Sequence, residues 1–234
     1  MNSNPVYVAL DTTDLDYARR LAERVRGSVG GLKLGLEFFS AHGPDGVRGF
    51  EGCGLPIFLD LKFHDIPNTV AGACRAAAQL GVSIMNVHAQ GGAAMMRAAV
   101  DAARSVSPST RVIAVTMLTS LSDEDLPSVG LAPPVADQVL RLAALAQQCG
   151  LDGVVCSAHE ITRLRRELGP DFLLVVPGIR PAGAAVGDQR RVMGPAEARD
   201  AGADILVIGR PITGAANPAM AAQDIAQSLG VPVA

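Results

Sequence analysis

The 234-residue chain contains no tryptophan, and aromatic residues make up only 3% of it. Proteins that grip single-stranded nucleic acid need aromatic faces for stacking and clustered positive charge for the backbone. Here 20 Lys and Arg stand against 23 Asp and Glu, a formal charge of −3. No nucleic-acid partner is expected. No apolar run is long enough to cross a bilayer, so no membrane association is expected either. Residues 1–5 pass straight into an apolar stretch with no basic segment before it, which fits a soluble, cytoplasmic protein rather than an exported one.

Paired cysteine spacings are also missing. Cys53, Cys74, Cys149 and Cys156 form neither a disulfide framework nor a C-x-x-C pair, and they read as free thiols packed as small hydrophobes. His42, His64, His88 and His159 are scattered, with no H-x-x-x-H and no neighbouring cysteine, so no metal site is expected. A dinucleotide fold would carry a glycine-rich turn after its first strand. That position reads Ala9-Leu10-Asp11-Thr12-Thr13 instead.

What the chain has is apolar content, 49% hydrophobic against 18% charged, which excludes disorder and supplies a large core. Short Val-, Ile- and Leu-rich runs predict strands at 6–10, 31–34, 57–63, 83–88, 111–117, 153–156, 172–177 and 205–209. Between them apolar residues recur at steps of three and four, as in Leu15, Ala18, Ala22 and Val25, in Val70, Ala73, Ala77 and Leu80, and in Val135, Val139, Leu142 and Ala146. Thr13 and Thr69 stand where N-cap or first-turn residues belong, and Gly27, Gly81 and Gly150 where helices end. The strands are apolar on both faces, as in a parallel sheet covered by helices. Eight such units in one chain of this length predict an α/β fold, a single (β/α)8 TIM barrel spanning residues 1–234. Two connections, 119–134 and 178–192, exceed what a barrel requires, and the second reads as a lid over a site.

In such a barrel the reactive groups project from the C-terminal strand ends. There the sequence offers Asp11 after the first strand, Lys33 in the second, Asp60 and Lys62 in the third, His88 in the fourth, Thr119 beyond the fifth, Arg180 after the seventh and Arg210 after the eighth. Strand alternation puts Asp60 and Lys62 on one face and Leu59, Leu61 and Phe63 on the other, with Asp65 just beyond. An isolated D-x-K reads as a buried ion pair of purely structural use. Lys33 and Asp11 on neighbouring strands tip the reading toward a site. Carboxylates beside these lysines keep the ammonium groups charged, which suits electrostatic stabilisation and proton donation rather than Schiff-base chemistry. Gly209 and Arg210 sit where barrels hold phosphate. Arg191 reads as plain surface charge, and Arg163, Arg165 and Arg166 as a solvated helix face. His64 and His88 are read either as site-lining or as structural histidines.

The segment Asp60-Leu-Lys62-Phe-His-Asp65-Ile-Pro-Asn-Thr69 resembles the signature of the orotidine 5'-monophosphate decarboxylase family. The resemblance extends along the chain through Val8-Ala-Leu-Asp11, Leu32-Lys33, Asn86-Val-His88-Ala, Leu118-Thr119-Ser120, Pro177-Gly-Ile-Arg180-Pro, Asp188-Gln-Arg190 and Ile208-Gly-Arg210. It implies a cofactor-free decarboxylase acting on a small molecule, orotidine 5'-monophosphate, in the stand-alone form that lacks a fused phosphoribosyltransferase. It further implies that Lys62 donates a proton to C6 of the pyrimidine within a tetrad of Lys33, Asp60, Lys62 and Asp65. By the same resemblance Asp11 and Lys33 contact the ribose, Thr119 lies by the pyrimidine and ribose, Arg180 lines the phosphate loop, and Gln189, Gly209 and Arg210 hold the phosphate. In the homodimer it implies, Asp65, Ile66 and Thr69 reach the neighbouring subunit's site. Two alternatives are weighed against this. Metal-dependent decarboxylases and aldolases of sugar phosphates share D-x-K-x-x-D but need an acidic residue at the end of the second strand, where this chain has Lys33. A catalytically dead barrel has no use for so many charged rim residues.

Overall fold

The apolar runs pair in chain order. The computed structural model describes residues 4–181 and 193–232. Among these, eight parallel strands close into a barrel, each hydrogen-bonded to the next and the last to the first. They are β1 (Val6–Ala9), β2 (Gly31–Gly35), β3 (Ile57–Phe63), β4 (Ile84–His88), β5 (Arg111–Val115), β6 (Gly153–Val155), β7 (Leu173–Pro177) and β8 (Ile205–Ile208). Around them run α1 (Leu15–Val25), α2 (Leu36–Arg48), α3 (Pro67–Ala78), α4 (Gly92–Val106), α5 (Val135–Gln148), α6 (Ile161–Leu168), α7 (Pro195–Asp200), α8 (Arg210–Thr213) and α9 (Pro218–Ser228).

The strand limits read from sequence are correct for β3 and otherwise off by one or two residues. The apolar run at 111–117, for example, overshoots, because Thr116 and Met117 remain buried after β5 has ended. Burial and pairing are separate properties, and hydrophobicity reports only the first. The N-cap of α1 is Asp14, not Thr13, and its carboxylate accepts the backbone N–H of Tyr17 at 2.8 Å. Thr69 lies in the first turn of α3, behind Pro67, whose missing N–H costs nothing at a helix start.

Two apolar layers hold the barrel. Tyr7, Ala9, Phe58, Ile84, Ile113, Val175, Ile205 and Val207 fill its interior. A larger cluster lies between strands and helices, including Leu32, Leu34, Phe38, Leu59, Met85, Met95 and Met96. Alternation along each strand supplies the two layers, one residue inward and the next toward a helix. The most extensive helix pairing is α3 against α4, whose facing residues are rich in alanine and allow close approach.

The sequence reading of Arg165 as solvated is wrong. Its guanidinium donates to the carbonyls of Gly169, Pro170, Phe172 and Gly202 and pairs with Asp204 at 2.6 Å. It fastens the end of α6 to the start of β8. Arg104 does the same one pair of units earlier, binding the Gly150 carbonyl and Asp152. Arg163 and Arg166, by contrast, make exposed ion pairs with Asp137 and Glu167.

The connection 119–134 is tethered. It contains a 3-10 turn at Leu126–Val129, and the Asp123 carboxylate accepts the Val135 N–H at 2.7 Å at the start of α5. At the base of the 178–192 connection Arg180 N–H bonds the Met193 carbonyl at 3.0 Å. The remainder of the expected lid, with Gln189, Arg190 and Arg191, lies outside the described residues.

Candidate active site

Four ionised side chains meet at the C-terminal end of β1, β2 and β3. Lys33, on β2, is buried, its side chain only 8% exposed, and its ammonium lies 2.6 Å from Asp11 and 3.7 Å from Asp60. Asp60 in turn accepts from the Lys62 ammonium at 2.7 Å. The order Asp11–Lys33–Asp60–Lys62 alternates in sign across three strands. Each buried cation therefore has an anion beside it, which such burial demands.

Lys62 is held in an unusual way. It is the only non-glycine residue among those described with a positive φ, at 53°. A side chain in that region costs about 1–2 kcal/mol, and such strain collects at functional positions. The pairing of β3 with β4 shifts register between Leu59 and Phe63, so the strand bulges where Lys62 sits. The expected alternation places Asp60 and Lys62 on one face, and they do meet. The bulge, which alternation does not foresee, sets how they meet. The Lys62 N–H, turned out of the ladder, is received by the side chain of Asn86 on β4 at 2.8 Å. The other end of the Asn86 amide donates to Asp60 at 2.7 Å.

Burial by itself raises the pKa of Asp60. Lys62 and Lys33, with hydrogen bonds from Lys62 and Asn86, outweigh it and hold the carboxyl below its ordinary value. It is an anion throughout the neutral range. The His64 and His88 rings lie 5.4 Å apart beside this group. His88 is pushed below the usual histidine value by burial first, then by His64 and Lys62, with Asp60 opposing. Both histidines therefore neighbour the charged array.

Gly35 makes room for it. A Cβ there would stand 2.8 Å from the Lys33 Nζ and 2.9 Å from an Asp11 oxygen. Sequence reasoning passed over Gly35 and gave Asn86 no role. The signal for Gly35 was only its place two residues after Lys33. That for Asn86 was a lone amide between the apolar Met85 and Val87 of a strand.

Other expected residues stand apart. Asp65 is exposed, and its carboxylate accepts its neighbour Ile66 N–H at 2.6 Å. Within one chain it joins neither lysine. Ile66, 67% exposed, and Thr69, also exposed, lie on the same rim. Thr119 is half-buried past β5. Across the barrel mouth Arg180 follows β7 and Arg210 opens α8 directly after Gly209. The two guanidinium groups are close enough that, after burial, Arg210 lowers the pKa of Arg180. Two cations at the ends of β7 and β8 suit a doubly charged anion. Among the described residues a Cβ on Gly209 would make only ordinary contact, with Ala9 at 3.5 Å.

A cavity of about 430 Å³ opens at the opposite mouth, lined by Tyr7, Arg111 and Asp204 among others. Asp204 there is bound to Arg165 and to the Leu174 N–H. A larger hollow of about 630 Å³, lined by Arg104, Gly150 and Asp152 among others, also lies at the strand starts, so volume alone would put the site at the wrong end of the barrel. The ion array marks the chemistry.

The sequence pattern of the "Orotidine 5'-phosphate decarboxylase / HUMPS family" matches residues 4–225. A protein of Paramagnetospirillum magneticum named orotidine 5'-phosphate decarboxylase is 56% identical, covering 97% of this chain and 99% of its own. A Rhodospirillum rubrum protein of the same name is 57% identical, covering 97% and 94%. The crystal structure of orotidine 5'-phosphate decarboxylase from Lactobacillus acidophilus superposes with a TM-score of 0.87 at 38% identity, covering 98% of this chain and all of that one.

Proposed function

The chain belongs to the orotidine 5'-phosphate decarboxylase / HUMPS family, and from that premise we infer that it decarboxylates orotidine 5'-monophosphate to UMP and CO2, a step of pyrimidine nucleotide synthesis. Loss of CO2 from C6 leaves an electron pair in the ring plane, where no conjugation can delocalise it. A protein lowers the barrier by fixing a cation where that charge develops. Lys62 fills this role, stabilising the carbanion and then delivering its proton to C6. Asp60, 2.7 Å away, holds the ammonium charged and in place, and Lys33 balances Asp60 from behind.

The remaining assignments complete the substrate. Asp11 and Lys33 bind the ribose hydroxyls, Thr119 lies by the pyrimidine and ribose, and Arg180, Gln189, Gly209 and Arg210 bind the 5'-phosphate. Phosphate contacts far from C6 supply binding energy that orients the reacting carbon. The Arg180 and Arg210 pair supports this. We place residues 1–234 in one domain that works as a homodimer, Asp65, Ile66 and Thr69 reaching the partner's site. Their exposure, and the absence of any Asp65 contact to Lys33 or Lys62 of its own chain, supports that. No helix among the described residues is long and apolar enough to cross a membrane. We assign the enzyme to the cytoplasm.

The observation that carries this reading is Lys33. Its ammonium, between Asp11 and Asp60, fills the place at the end of β2 where a metal-dependent sugar-phosphate enzyme requires an acid. The test is the loss of orotidine 5'-monophosphate ultraviolet absorbance in excess EDTA. Conversion to UMP is expected. No conversion, with turnover appearing only on sugar phosphates once Mg2+ is supplied, would overturn the assignment and leave Lys33 without a purpose.

A further inference from the structure

Asn86 is fully buried on β4, and both ends of its amide are committed to the same pair of residues. Its oxygen receives the Lys62 N–H at 2.8 Å, and its nitrogen donates to the Asp60 oxygen that also receives the Lys62 ammonium, at 2.7 Å in each case. A closed ring results, from the Lys62 backbone through Asn86 and Asp60 to the Lys62 side chain. We infer that Asn86 is a positioning residue of the decarboxylase, holding the Lys62 backbone in its left-handed turn and the Asp60 carboxylate on the Lys62 ammonium. The inference rests on the reading of Lys62 as the cation that meets the C6 carbanion.

Three features separate this role from that of a merely satisfied core amide. A buried amide that serves only packing can satisfy itself on any nearby backbone, whereas both bonds of Asn86, one to the Lys62 N–H and one to the Asp60 carboxylate, go to the reacting pair. The N–H it receives is orphaned by the bulge in β3, so Asn86 replaces a ladder partner at the point of strain. Lys62 has four rotatable side-chain bonds and carries its charge far from its backbone. Fixing only the ammonium, through Asp60, would leave the stem free, and fixing only the backbone would leave the charge free. Asn86 fixes both with one rigid group. An error of about 1 Å at a reacting group costs on the order of a hundredfold in rate.

The ring also has an electrostatic consequence. The charged groups facing Asp60 are Lys33 from β2 and Lys62 from its own strand. His88 is the titratable neighbour on β4, and Asp11 acts through Lys33. The Asn86 N–H is one of the contributions that hold Asp60 below its ordinary value. Removing it raises the Asp60 pKa, so the acid limb of kcat/KM moves to higher pH.

Asn86→Leu and Asn86→Asp test this in the full chain, beside wild type and Lys62→Ala. Leucine fills the volume and removes both bonds. An introduced carboxyl keeps the acceptor for the Lys62 N–H, and it donates to Asp60 only when protonated. Expected for Asn86→Leu are a kcat lower by about a hundredfold, a KM and UMP affinity changed less than about fivefold, and an acid limb shifted to higher pH. Asn86→Asp should recover toward wild type as pH is lowered and its carboxyl takes up a proton, a rescue that a packing defect would not show. If Asn86→Leu fails to fold, the Asn86→Asp profile decides. Full kcat in either variant, or a loss of rate with an unmoved acid limb and no recovery at low pH, would overturn the inference. Should Lys62→Ala keep wild-type kcat, it is the reading of Lys62 that falls, and the two failures are distinct.

Discussion

At the scale of the residue, the site is a problem of keeping four charges close with two of them, Lys33 and Asp60, largely out of water. Gly35 illustrates the tolerance. In Gly35→Ala the new methyl group would press on the ends of two flexible side chains, Lys33 and Asp11, rather than on backbone. The fold should absorb it while the ion pair moves. The expected result is a thermal midpoint unchanged within ~2 °C and kcat/KM reduced about tenfold or more. An unaltered kcat/KM would mean that the position of Lys33 is not critical. His88 offers a pH signature. Its folded pKa lies below the ordinary histidine value of 6.5, so as pH falls through that value the unfolded chain takes up a proton first. Stability is then lost between that point and the lower folded pKa. His88→Asn should flatten the dependence of the urea midpoint on pH from about 7.5 to about 5.5. Equal slopes in variant and wild type would contradict a neutral His88 beside Lys62.

The residue scale is also where the sequence was least transparent. Asp11, Lys33, Asp60 and Lys62 are legible because charges inside apolar strands are expensive and need a reason. The bulge at Lys62 is not legible, since strict alternation predicts the same face with or without it. Asn86 lay inside a recognised block, yet nothing in spacing tells which atoms an amide will meet across a strand. Asp65 was read as lying just beyond the strand and reaching a neighbouring subunit, and spacing does not show that within its own chain it bonds the Ile66 N–H and neither lysine.

At the scale of the element, hydrophobic runs marked the eight strands to within a residue or two, because a strand buried on both faces has almost no polar residues to blur it. Helices were less evenly visible. The patterns for α1, α3 and α5 repeat cleanly, while α7 and α8 have six and four residues, too few for any period to show. Arg165 was misjudged for a related reason. Three arginines in an eight-residue helix look like a solvated face, and only the fold reveals that one of them reaches the carbonyls of two following segments. Arg165→Leu strands those carbonyls and the Asp204 carboxylate, at an expected cost of ~2–4 kcal/mol. Urea unfolding would show it as a lower midpoint with kcat preserved in the folded protein. A cost below ~0.5 kcal/mol would mean that the clamp is no more than a surface contact.

At the scale of the whole molecule, the barrel separates stability from chemistry. Clamps such as Arg165 to Asp204 and Arg104 to Asp152 lie toward the strand starts, and the ion array lies at the strand ends. The proposed dimer adds a second division, with Asp65 completing a partner's site. Mixed dimers of Lys62→Ala and Asp65→Ala subunits put both defects in one site and leave the other site whole. Inactive parents should therefore yield activity on mixing, approaching a quarter of wild type for random pairing, since half the dimers are hybrids and each has one of two sites intact. No recovery in verified hybrids would remove Asp65 from the neighbouring site.

If the Lys62 ammonium lowers the barrier to decarboxylation, its removal must restore that barrier, and single-turnover decarboxylation by Lys62→Ala reads this without interference from product release. With UMP affinity measured alongside, the expected rate is lower by at least about a thousandfold and product binding changes by less than about tenfold. A variant that decarboxylates within about tenfold of wild type would show that the charge on Lys62 is not what stabilises the carbanion.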